Sequence, residues 1–151
     1  MAKFNVNSNA YIIIYSVVMV VVVAVLLAVT SLSLQERQGE NILNEKKQQI
    51  VKALGEDPLT ASYSDVVAEA VMLDKNGNKI EGKGDADIFT ALGDLTASFA
   101  AGEYPVFKAQ NGCVVIPVYG AGLWGPIWGY IALEADMNTV KGIVMDHSGE
   151  T

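Results

Sequence analysis

The run from Gly120 to Tyr130 contains the residue types that could hold a flat ligand. Trp124, Trp128 and Tyr130 are interleaved there with four glycines and Pro126. Glycine lets a backbone turn sharply and approach a ligand closely, while indole and phenol rings offer flat, polarizable surface. Together they could wall a heteroaromatic ring, with Trp124 stacking on it and Leu123 supplying an apolar neighbour. Trp128 and Tyr130 are expected to pack within the domain. A second stretch of interest is His147-Ser148-Gly149-Glu150-Thr151, where the sequence stops.

Other chemistry is thinly supplied. Cys113 is the single cysteine, so neither an intramolecular disulfide nor a cysteine-cluster metal site can form. It sits in the apolar run Cys113–Val118 and reads as a buried small hydrophobe. His147 is the single histidine and has no companion for metal binding or for activating a nucleophile. Asp74, Asn76 and Asn78 evoke a calcium loop. The sixth position is Lys79 where glycine is needed, and the twelfth is Asp85 rather than glutamate, so that reading fails. No phosphate-cradling glycine loop after a strand is recognised, which argues against an independent nucleotide site. No catalytic residue and no metal site are expected.

The elements that must position these residues begin with an apolar one. From Phe4 to Gln35 there is no charged residue, and residues 10–29 are dominated by Val, Ile and Leu. About 20 helical residues span a hydrocarbon core of about 30 Å. Tyr11 and Tyr15 lie toward one end of that stretch, as interfacial aromatics do. The run exceeds the ~7–15 apolar residues of a cleaved signal peptide, and its head offers only Lys3. The expected organisation is a tail over residues 1–9, a transmembrane helix over 10–34 in contact with the lipid bilayer, and one domain over 35–151.

That domain carries all seventeen acidic residues and nine of the ten basic ones, a net charge of −8. An acidic surface argues against nucleic acid as a partner. The spacing of Ile42, Leu43, Ile50, Val51 and Leu54 predicts a helix capped by Gly55. A strand is predicted over 66–73, with Asn76-Gly77 turning a hairpin after it. A helix is predicted over 85–101, with Gly93 in its interior costing about 1 kcal/mol relative to alanine. Two hairpins should follow, one turning at Asn111-Gly112 and the other at Asp136-Met137-Asn138. The fold class is α+β: an N-terminal transmembrane helix followed by a domain on an antiparallel sheet.

Gly122-Leu123-Trp124-Gly125, continuing to Gly129-Tyr130-Ile131-Ala132-Leu133, with Gly149-Glu150-Thr151 further on, resembles the NqrC family. NqrC proteins are subunits of the Na⁺-translocating NADH:quinone oxidoreductase (Nqr). The homologous RnfG subunit of the related Rnf electron transport complex is a same-class alternative, and a membrane-anchored assembly subunit without flavin is one of another class. The resemblance implies a single-pass protein of the bacterial inner membrane with a periplasmic FMN-binding domain. Lys3 against Arg37, Lys46 and Lys47 does not itself favour that orientation. It further implies an electron-relay role among the other membrane subunits of a complex that couples NADH oxidation and quinone reduction to sodium export. Leu123, Trp124, Glu150 and Thr151 are the cofactor-binding candidates it points to. In the family, Gly-Glu-Thr continues into Pro-Gly-Leu-Gly, and a later Ser-(Gly/Thr)-Ala-Thr carries FMN on its threonine through a phosphoester. Neither motif is present in these 151 residues. The resemblance therefore implies an incomplete flavin domain, lacking its covalent threonine and inactive alone.

Overall fold

A computed structural model describes residues 8–148. It divides into two units, Met1–Ile42 and Leu43–Thr151. The first helix, α1 (Asn9–Ala53), contributes to both.

Within the first unit α1 is long and apolar enough to cross a membrane, and none of its apolar window is buried. Its few polar side chains turn back onto the backbone. Ser16 Oγ donates to the Ile12 carbonyl at 2.8 Å, and Thr30 Oγ1 to the Leu26 carbonyl at 2.9 Å. Such internal satisfaction is what a lipid environment demands, since no water is there to accept those protons. The Tyr11 and Tyr15 rings stack with centroids 6.3 Å apart.

The second unit is built on a five-stranded sheet in the order β1-β2-β3-β4-β5. The strands are β1 (Val67–Leu73), β2 (Tyr104–Ala109), β3 (Val114–Ala121), β4 (Pro126–Leu133) and β5 (Val140–His147). Every neighbouring pair is antiparallel. Alternation sends Met72, Phe107, Val115, Tyr130 and Ala132 to one face. They share a core there with Ile50, Ala53 and Leu54 from the end of α1, a spacing that puts all three on one helical stripe. Gly55 then stops α1. At φ 81° it lets the Gly55 N–H reach the Lys52 carbonyl and the Glu56 N–H reach that of Val51, which satisfies the last turn.

Two expectations are corrected. After Asn76-Gly77 no strand returns. The turn closes on a single bridge between Leu73 and Lys79, and β1 pairs with β2 instead. The segment Glu81-Gly82-Lys83-Gly84 has no alternating apolar pattern from which to build a strand; only Ile80 joins the core. The helix predicted over 85–101 is two helices, α3 (Asp85–Ala91) and α4 (Leu95–Ala100). The break falls at Gly93-Asp94, where the Asp94 carboxylate accepts the Ala97 N–H at 2.9 Å and starts a new helix. A short helix, α2 (Tyr63–Val66), precedes β1.

Candidate functional site

The β3–β4 hairpin is the longest ladder in the sheet, paired without a shift from Val114↔Leu133 to Ala121↔Pro126. Its tip is Gly122–Gly125, closed by the Gly122 N–H donating to the Gly125 carbonyl at 2.8 Å. A Cβ on Gly122 would come within 2.6 Å of that same carbonyl oxygen, so the tight closure requires glycine. Leu123 and Trp124 stand at the tip, 86% and 76% exposed. An apolar pair held in water on a closed hairpin is the surface a flat ligand or another protein would cover.

Chain exit from β5 lies beside that tip. The Ser148 N–H donates to the Pro126 carbonyl at 3.0 Å, and the Ser148 carbonyl occupies the space that a Cβ on Gly125 would need. Leu123, Trp124 and Ser148 are thus gathered at one corner of the sheet. Glu150 and Thr151, the other two candidates, lie outside the described residues.

Of the other aromatic residues in the run, Tyr130 packs in the main core, as expected. Tyr130 is 3% exposed within the main core, and burial, with the Glu45 carboxylate nearby, holds its hydroxyl well above the usual phenol range. Trp128 is half-buried opposite Tyr119 in the ladder. Gly120, Gly122 and Gly125 do have Gly-x-Gly-x-x-Gly spacing, contrary to the expectation that no such loop follows a strand. The tip leads into β4 rather than a helix, so no helix N-terminus is present to bind phosphate.

Asp74 is occupied by its own turn. Its carboxylate accepts the Asn76 and Asn78 N–H groups at 2.7 and 2.9 Å, and the Asn78 bond foremost holds its pKa below the usual carboxylate range. Among the described residues no group of three or more His, Cys, Asp or Glu could hold a metal. Cys113 is buried, with its sulfur 3.6 Å from Glu134 Oε2 and 3.8 Å from Lys141 Nζ. That trio was not legible beforehand, because its members come from three segments joined only by strand pairing. Two contacts at the end of α1 were equally hidden. Gln49 Nε2 donates to Asp146 Oδ2 at 2.8 Å, and Lys47 lies 5.6 and 5.5 Å from the Tyr63 and Phe89 ring centroids.

Fold and site together define a class: an apolar helix of membrane-spanning length joined to an α+β domain on an antiparallel sheet, with an aromatic hairpin tip at one corner. No family model matches the chain. It is 28% identical over 158 residues to the NqrC subunit of the Na(+)-translocating NADH-quinone reductase of Vibrio parahaemolyticus, covering 86% of this chain and 60% of that protein. The corresponding subunit of Chlamydia trachomatis is 55% identical over a shorter stretch of 38 residues. The crystal structure of the same subunit from Parabacteroides distasonis superposes with a TM-score of 0.68 at 34% identity, covering 78% of this chain and 60% of that one. By sequence and fold the chain is a homologue of the NqrC subunits of Na(+)-translocating NADH-quinone reductases. It spans about 60% of the length of the curated relatives that match it over most of its own length.

Proposed function

We propose that this chain belongs to the electron-relay subunit of a membrane complex that oxidises NADH, reduces quinone and exports sodium, and that its β3–β4 tip forms one wall of an FMN site. The homology to NqrC proteins supports the assembly. The observation that carries the cofactor reading is the exposed Leu123–Trp124 pair on a glycine-closed tip. These residues fit a flavin ring on one side: an indole face to stack on it and an aliphatic side chain beside it, on a tip whose tight closure requires glycine at 122. Bound FMN would supply the redox centre, and the protein's part is to fix its position and tune its potential.

In this reading Trp124 and Leu123 shield one ring face from water. Ser148, hydrogen-bonded to Pro126, holds the end of β5 at the same corner. The domain is on the periplasmic side of the inner membrane, anchored by α1, and the other subunits of the complex are its partners. The covalent Ser-(Gly/Thr)-Ala-Thr motif does not occur in these 151 residues. A polypeptide of these 151 residues alone should therefore carry no covalent FMN.

The test compares this chain with a longer version that includes Pro-Gly-Leu-Gly and Ser-Gly-Ala-Thr segments. On a denaturing gel only the longer protein should fluoresce as flavin. Trp124→Ala in it should shift the flavin absorption spectrum or midpoint potential while leaving the fluorescent band intact. A fluorescent band from the 151-residue chain would refute the assignment, as would a flavin spectrum and potential indifferent to Trp124→Ala.

A further inference from the structure

Asn-Gly occurs at two turns of this chain, and the fold holds the two differently. Asn76-Gly77 follows β1, and Asn111-Gly112 joins β2 to β3. Both asparagines are exposed, and both glycines sit at positive φ, 82° and 83°. Each glycine N–H is engaged, Gly77 with the Asp74 carbonyl at 3.0 Å and Gly112 with that of Ala109 at 3.1 Å. The asparagine side chains differ. Asn111 Oδ1 accepts the N–H of buried Cys113 at 3.0 Å. Among the described residues no N–H group holds Asn76 Oδ1 in that way. The Asn76 carboxamide neighbours the Asp74 carboxylate, whose stronger bonds go to Asn78. The surroundings differ too. At the second turn the Ala109 N–H donates to the Cys113 carbonyl at 2.8 Å, and a Cβ on Gly112 would lie 3.5 Å from Ala135. The first turn has no returning strand and closes on the Leu73–Lys79 bridge. A Cβ on Gly77 would meet nothing within 4 Å. A turn with fewer contacts opens at lower cost.

We propose that Asn76 is a site of spontaneous backbone modification, converting through a cyclic imide to aspartate and isoaspartate, while the fold protects Asn111. Glycine presents no side chain to shield its amide nitrogen. Once the Gly77 N–H leaves the Asp74 carbonyl, solvent base removes its proton and the nitrogen attacks Asn76 Cγ. The N–Cγ bond forms, the Cγ–Nδ2 bond breaks, and the side-chain nitrogen departs as ammonia after taking a proton from water. Water then opens the ring at either carbonyl. The net change is one water consumed and one ammonia released, with no oxidation or reduction. The isoaspartate product routes the main chain through Cβ and Cγ, which lengthens the turn. It also places a new carboxylate beside that of Asp74, where like charges repel. Asp74 Oδ1 binds the Asn76 and Asn78 N–H groups together, and a lengthened chain cannot keep both. Modification therefore loosens the end of β1, including the Glu69–Lys79 ion pair at 2.6 Å. The inference concerns this turn alone and stands whether or not flavin binds.

The experiment ages the purified full chain in detergent at neutral and mildly alkaline pH, folded and in urea, and follows both Asn-Gly peptides by mass spectrometry. Fragmentation spectra locate the amide-to-acid change. Methyl transfer from S-adenosylmethionine by an isoaspartyl methyltransferase counts the isoaspartate. In the folded chain Asn76 should convert about tenfold or more faster than Asn111, as cheaper opening of its turn requires. Its rate should rise with pH, because base must remove the Gly77 proton. In urea the two sites should convert at similar rates, and Asn76→Ser should remove most of the isoaspartate formed by the folded chain. Equal rates at the two sites in the folded chain would overturn the proposal. So would a difference that persists in urea, which would assign it to the flanking residues rather than to the fold. Acid appearing in the folded chain at Asn78 or Asn138 but not at Asn76 would overturn it as well.

Discussion

At the hairpin corner single atoms decide what is tolerated. A Cβ at Gly125 would overlap the Ser148 carbonyl, whereas one at Gly120 meets nothing within 4 Å. Gly125→Ala should therefore destabilise the domain by about 1–3 kcal/mol, as forced overpacking does, and Gly120→Ala should lie within about 0.5 kcal/mol of the parent. Urea denaturation of both variants checks the contrast, and equal midpoints would disprove it. The buried phenols set a second residue-scale expectation. Burial first, then neighbouring charge, raises the Tyr63 and Tyr130 hydroxyls above their ordinary pKa of 10.0. A raised folded-state pKa means that the unfolded chain loses its proton first, so stability is full below pH 10 and falls as pH rises beyond it. Tyr130→Phe should flatten that alkaline decline in a series of melts, and an unchanged slope would contradict the assignment.

At the scale of elements, what was legible followed from local pattern. The strand predicted over 66–73 is β1 at 67–73, and the predicted turns at Asn111-Gly112 and Asp136-Met137-Asn138 join β2 to β3 and β4 to β5. The apolar helix was legible from its absence of charge. Missed elements depended on competition between signals. Gly93-Asp94 is a stop followed by a cap, but the apolar periodicity running from Ile88 to Phe99 masked it. Asp94→Ala should then cost about 1 kcal/mol through loss of the cap, measurable in chemical denaturation; no loss would mean that α4 needs no cap. The hairpin after β1 failed because an Asn-Gly turn specifies a reversal, not a returning strand. Of the candidate site, Leu123 and Trp124 could be read from composition. Their meeting with Ser148 could not, because it depends on the β4–β5 register.

For the whole molecule, sequence and structure meet on an apolar helix followed by an acidic α+β domain. If α1 is an uncleaved anchor, carbonate-washed membranes should retain the chain with its original N-terminus. A soluble product beginning near Ser31 would defeat that. If the domain is periplasmic, a cysteine at Asn76, with Cys113 replaced, should react with an impermeant maleimide in intact cells. Reaction only after lysis would place it in the cytoplasm.

The sheet order has a kinetic consequence. From β2 to β5 each strand lies beside its immediate successor in the chain, so three pairings require only short loops to close. Such closures take about 1–10 μs, and folding driven by near neighbours is fast. The stripe of Ile50, Ala53 and Leu54 must instead find Tyr130 and Ala132 across most of the domain. Gly142 leaves room for the Ala53 carbonyl at that junction, so a Cβ there obstructs this long-distance docking event. Gly142→Ala should slow the late phase of refolding and spare the early one, since the meander can assemble before the end of α1 reaches it.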